Sequence, residues 1–145
     1  MVRTLRIALR ARVTGAHAFG CPTGHYHSRV FLHDRYGFVL MVIAAVGALA
    51  AIAGLFRPRI LPAVRVYLRI QIALVGVQVL IGLVLVATGD RPQQLLHWFY
   101  GAATLLSLPL AMLIGKRLGG REEQIWLAGG AVMTLLFALR ALATG

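Results

Sequence analysis

Four stretches of this 145-residue chain constrain its fold more than anything else in the sequence. Residues 38–56 carry no charge, and residues 70–88 hold only Gln71 and Gln78 as strongly polar side chains. Residues 95–114 contain a single ionisable group short of the end, His97, and residues 125–144 are interrupted by Arg140 alone. A helix rises about 1.5 Å per residue, so roughly 20 apolar residues cross the hydrocarbon core of a bilayer. Four spanning helices are predicted. The bulk composition agrees: 59% of residues are hydrophobic, only 13% are charged, and the mean hydropathy is +0.80.

The punctuation between the runs sets the order of the helices. Arg57-Pro58-Arg59 ends the first, and a short loop through Pro62 leads to Arg65 and Arg69 before the second. Thr88-Gly89-Asp90-Arg91-Pro92 separates the second from the third, with Asp90 suited to cap the new helix and Pro92 to its first turn. Pro109 is expected to bend the third helix, and Lys116 to Arg121 turns the chain into the fourth. Loops this short force neighbouring helices to run antiparallel, so the fold class is all-α, an integral membrane up-down-up-down four-helix bundle. It occupies residues 31–145. Residues 1–30 form a basic N-terminal tail lying at the membrane interface, with Arg3, Arg6 and Arg10 at helical spacing and a loop at Gly20 to Gly24.

The net charge of +11 invites a nucleic-acid reading. The 15 basic residues instead fall in the tail, the loops and the helix ends, where arginines meet lipid headgroups, so the expected partner is the bilayer and not nucleic acid. Counting charges near the spans, Arg57, Arg59, Arg65, Arg69, Lys116, Arg117 and Arg121 outnumber Arg29, Arg35, Arg91 and Arg140. The larger set is predicted to face the cytoplasm of a cell or inner membrane, leaving the opposite end extracytoplasmic. One cysteine, Cys21, excludes an intrachain disulfide. His17, Cys21, His25 and His27 have metal-ligand chemistry, but their spacing matches no closed zinc module. No phosphate loop, Ser-His-Asp set or pair of catalytic carboxylates is present.

A short pattern recurs at the start of the first and third runs. Leu32-His33-Asp34-Arg35-Tyr36-Gly37 and Leu96-His97-Trp98-Phe99-Tyr100-Gly101 share Leu, His, Tyr and Gly at the same offsets, 64 residues apart. The first and third helices of such a bundle point the same way, so His33 and His97 lie at one depth and can converge across the core. Two converging imidazoles are candidate axial ligands for one haem iron. Gly37 and Gly101, one turn deeper on the same face, would let a flat macrocycle approach the backbone. Tyr36 and Tyr100 flank that face, and Arg35 and Arg91 are candidates to pair with propionates. The plainer alternative makes both histidines interfacial residues at the edge of the lipid. Gln71 and Gln78, on one face of the second helix, can hydrogen-bond across the bundle or contact a quinone head. Gly47, Ala51, Gly54, Gly129 and Gly130 are expected to pack helices closely.

These residues resemble a half-length member of the heme A synthase family, whose full members duplicate a four-helix haem-binding half. In that family a histidine opens alternate helices, commonly as His-Arg-x-x-Gly. Here the histidine and glycine of each copy are kept, and Gln71 to Gly76 is similar to a Gln-x-x-Leu-Gly stretch on the helix between them, with one residue inserted. Catalytic halves carry a glutamate three residues before the first histidine; that position is Val30 here, and Gln94 precedes His97. The resemblance therefore implies haem b binding more than synthase activity. The expected function is bis-histidine haem binding with electron transfer in a respiratory or photosynthetic membrane, alone or within a larger complex. The alternatives are a half-size heme A synthase working as a homodimer and a cofactor-free accessory subunit.

Overall fold

A computed structural model describes residues 24–89 and 95–144, with side-chain surroundings from residue 33 onward. The described chain is all-helical. Helix α1 spans Gly24–Phe56, a 3-10 turn covers Pro58–Ile60, and α2 spans Leu61–Ala87. Helices α3 and α4 span Leu95–Leu118 and Gly120–Thr144. Four segments of 24 to 30 residues, one on each helix and the second taking in the 3-10 turn, are long and apolar enough to cross a membrane.

Two boundaries differ from those expected. Helix α1 begins well before residue 38, so His33 lies inside a helix and not at its start. The hydrophobic run marks where lipid begins, but a helix ends only where backbone hydrogen bonding ends, and no proline interrupts residues 24–37. Helix α2 likewise begins nine residues before residue 70. Pro62 falls in its first turn, where a missing N–H leaves no bond unmade, so Arg65 and Arg69 are helical residues. Pro109 lies within α3, and Gly119 and Gly120 take positive φ (71° and 57°) to turn the chain between α3 and α4. The tail through residue 23, and Asp90, Arg91 and Pro92, lie outside the described residues, as does the expected loop up to Thr23.

The helices have no polar side. On α1 the buried positions include Leu40, Ala44, Ala48 and Ala51, while Phe38, Val42, Val46, Leu49 and Phe56 are exposed. A helix apolar on both its inner and outer faces has no stable home in water; lipid is the solvent that suits it. Close approach depends on small residues, as expected for Gly47, Ala51, Gly54 and Gly130, which are all buried. Gly129 departs from that expectation, being exposed with open space where a Cβ would stand. Its immediate neighbour points the other way: a Cβ on Gly130 would run into Ala111 of α3.

Around the bundle α1 packs on α2 and α4, α4 packs on α3, and α2 and α3 are the least tightly joined neighbours. The apolar core is assembled from Ala48 and Ala51 of α1, Leu61, Val64 and Leu68 of α2, Leu108 of α3, and Leu127, Ala128 and Ala131 of α4. At this end the Arg65 guanidinium donates to the Glu123 carboxylate at 2.7 Å, tying the start of α2 to the start of α4. The Tyr67 hydroxyl donates to the Ile43 carbonyl at 2.7 Å. The ion pair is only part-buried, between the surface case and the buried case. Glu123→Ala is expected to cost about 1–2 kcal/mol, read as a lower melting temperature in detergent, and Glu123→Gln should cost less. A melting temperature unchanged by Glu123→Ala would show that the pair contributes nothing.

The opposite end is built differently. Among the described residues none is fully buried before Leu40 on α1, after Val75 on α2, before Thr104 on α3 or after Thr134 on α4. Among the described residues, the fully buried side chains gather toward the arginine end of the bundle and not around the histidines.

Candidate functional site

The two histidines separated by 64 residues in sequence come together at the other end of the bundle. Their ring centroids lie 6.2 Å apart, with the ring planes inclined at 55°. His33 comes from α1 and His97 from α3, helices that otherwise make little contact. Each ring is half-buried.

His97 is oriented by α4. Its Nδ1 stands 3.0 Å from the Ala141 carbonyl, which can only accept, so Nδ1 carries the proton. In the neutral ring this leaves the Nε2 lone pair free. A backbone carbonyl holding Nδ1–H is a common way of orienting a metal-ligating histidine.

His33 is held by α2. The Gln78 amide nitrogen donates to the His33 carbonyl at 3.1 Å and lies 3.2 Å from ring Nδ1 and 3.4 Å from Nε2. Gln78 Oε1 is buried and has no partner. With the amide in this sense the ring of His33 accepts from Gln78. Ligation through Nε2 requires the proton on Nδ1, and Gln78 could receive it only through Oε1, by a turn of the amide that gives up the bond to the His33 carbonyl.

The other expected site residues are distributed unevenly. A Cβ on Gly37 would meet Gln78 Nε2 and Leu142 Cδ1, both at 3.5 Å. That position therefore faces protein, and an alanine would fit it. A Cβ on Gly101 would meet nothing within 4 Å, so this glycine does border open space. Gly82, not singled out from the sequence, faces His33 Cε1 at 3.5 Å. Tyr36 is half-buried. Tyr100 is also half-buried and packs edge-on to Phe99 at 5.5 Å and beside Phe137 of α4 at 6.4 Å. Arg35 is exposed, two residues from His33 and therefore on another face of α1. Asp34, the one described acid beside the pair, is exposed as well. Arg91 lies outside the described residues.

The donor set can be weighed against a haem. Among the described residues no cluster of three or more His, Cys, Asp or Glu could hold a metal ion. Two imidazoles alone are too few for a bare ion that prefers four protein or water ligands. They suffice for an iron that brings four equatorial nitrogens of its own. Metal–imidazole bonds of about 2 Å, plus about 1.2 Å from each nitrogen to its ring centre, put the centroids of two axial imidazoles about 6.4 Å apart. The observed centroid separation of 6.2 Å matches that span in length, while the Gln78 amide nitrogen stands against both nitrogens of the His33 ring.

Gln78 and Ala141 were the contributors hardest to find from sequence. Gln78 stood out only as a polar residue in an apolar run, and a backbone carbonyl has no signature at all. No family model, curated protein or solved structure matches the chain.

Proposed function

We propose that this chain is an integral membrane haem b protein in which His33 and His97 are the two axial ligands. The reading includes an up-down-up-down order of the four helices and a basic N-terminal tail at the membrane interface. Its arginine end, with Arg57, Arg59, Arg69, Lys116, Arg117 and Arg121 all exposed, faces the cytoplasm. The observation that carries the reading is the ring pair, 6.2 Å apart and brought together from α1 and α3. A haem bound there supplies one-electron chemistry, and the reading assigns the protein to electron transfer in a respiratory or photosynthetic membrane.

The chain's own residues have defined tasks in this scheme. His97 keeps Nε2 free because Ala141 holds its other proton. Gln78 bonds the residue-33 carbonyl and lays its amide against the ring of His33. Gly101 leaves the backbone of α3 approachable, and Tyr100 packs beside Phe137 of α4. The synthase alternative gains no support: Val30 stands three residues before His33, and Asp34 is exposed.

The optical spectrum of the detergent-purified protein tests the proposal. The expected result is a narrow α band on reduction, of the b type after pyridine extraction, either as isolated or after addition of haemin. Protein that stays colourless with haemin present would overturn it. A finer expectation concerns Gln78. Groups that orient a metal-ligating histidine typically contribute about 10–100-fold to affinity, so Gln78→Leu should weaken haemin binding by that order in a titration while leaving the shape of the spectrum. An unchanged titration would remove Gln78 from the site.

A further inference from the structure

Arg69 stands about two turns inside α2, about 12 Å along the axis from the first residue of that helix. Val66 and Ile70 beside it are both more than half exposed, and no charged residue follows it on α2. Arg69 is itself exposed, and among the described residues it has no hydrogen-bond or ion-pair partner. An arginine at this depth of a spanning helix is costly unless its guanidinium reaches the interface or meets an anion. Its aliphatic stem is long enough to carry the charge back toward the end of the bundle. Arg65, four residues earlier on the same face, already donates to Glu123 at 2.7 Å. Arg69 has no such carboxylate.

The face of α2 that carries Arg65 and Arg69 also carries Ile72, which borders α3 together with Leu105 and Leu108. On α3, Lys116 lies eleven residues beyond Leu105, about three turns on, and so on the same side of its helix. Lys116 is exposed and also has no partner among the described residues. Arg69 and Lys116 therefore flank one edge of the α2–α3 seam, the loosest in the bundle, at its arginine end. Packed helices lie about 8–10 Å apart, which is within the combined reach of an arginine and a lysine for one anion. The balance of charge at this end favours such a ligand: seven basic side chains face two carboxylates, Glu122 and Glu123, and Glu123 is already paired. The space between the helices does not admit even water, so the ligand lies across the outer edge of the seam and not inside it. Exposed apolar side chains, Ile70 and Leu113 among them, continue that outer surface toward the middle of the bilayer. A negative head group with acyl chains matches both parts of this surface.

We propose that Arg69 and Lys116 form a binding site for the phosphate of an anionic phospholipid at the arginine-end edge of the α2–α3 seam. The site lies away from the histidines and does not depend on a haem.

The test is native mass spectrometry of the full-length protein purified in detergent and offered equal amounts of phosphatidylglycerol and phosphatidylcholine with the same acyl chains. Retention of one phosphatidylglycerol is expected, preferred over phosphatidylcholine by about tenfold. Arg69→Gln and Lys116→Gln should each reduce that preference by about fivefold or more. Arg117→Gln removes the same charge one residue on, about 100° round α3 from Lys116, and should keep the preference within about twofold. Arg69→Gln should melt at the parent temperature in lipid-free detergent, since Arg69 bonds to no other described residue; should it fail to fold, Lys116→Gln alone decides. Equal retention of the two lipids would overturn the proposal, as would an unchanged preference in either folded site variant. A loss in Arg117→Gln as large as in Arg69→Gln would also overturn it, by showing a diffuse positive field and no site. Glycerol phosphate at the same concentration should not displace the lipid, and displacement would refute a lipid as the ligand.

Discussion

Alanine at either His33 or His97 is expected to abolish the narrow reduced α band of the haem-loaded protein, because each ring would supply one of only two protein bonds to iron. The substitutions should not be equivalent in their structural effects. His97→Ala removes a ring that bonds to α4 only through the Ala141 carbonyl, whereas His33→Ala leaves Gln78 with the residue-33 backbone as its remaining partner. His97→Ala should therefore melt close to the parent temperature, and His33→Ala somewhat below it. Added imidazole should restore part of the band in either variant, since it refills the missing axial position. A single variant that keeps a full narrow α band would show that the two rings do not share an iron. Haem affinity should fall by at least about tenfold in each, measured by haemin titration.

The second large effect concerns packing. Gly130→Leu should destabilise the bundle by about 1–3 kcal/mol or more, because even a Cβ at this position would collide with Ala111. Helices α3 and α4 make the tightest contact in the molecule, and the remainder of a leucine has nowhere to go without separating them. Gly129→Leu is the internal control: it adds the same atoms one residue away, onto an exposed position with nothing within 4 Å of the new Cβ. Gly130→Ala should be harmful alone and largely rescued by Ala111→Gly, since the pair returns the lost volume. Thermal melts in one detergent read all four proteins. Equal melting of the Gly129 and Gly130 variants would refute the close approach of α3 to α4 at this point.

Much of the architecture was legible in the chain because lipid imposes a simple rule. An uncharged run of some 20 residues has few alternatives to a spanning helix, so the number and order of helices follow from counting. Helix ends were less legible. Hydropathy reports where the lipid stops, and α1 and α2 continue beyond that point for want of a breaker. The histidine pair was legible for a different reason: the repeat of Leu-His-x-x-Tyr-Gly puts both rings at one depth on helices one and three. Gly37 misled, since being one turn from a histidine says nothing about which neighbour fills the space, and here it is Gln78 and Leu142. The two glutamines of α2 carry the same letter and share a face, yet the amide nitrogen of Gln78 is engaged while neither polar atom of the Gln71 side chain has a partner.

From its residues alone the protein acquired four apolar helices, basic ends and two histidines set at matching positions, because hydrophobic length and helical repeat are properties of local sequence. Only tertiary structure decided that the rings come within 6.2 Å, that the fully buried side chains among the described residues gather toward the arginine end, and that Gly130 is closed in while Gly129 is open. Those outcomes depend on the rotation and spacing of whole helices. A rotation of a few tens of degrees, invisible in any local pattern, exchanges a buried neighbour for an exposed one.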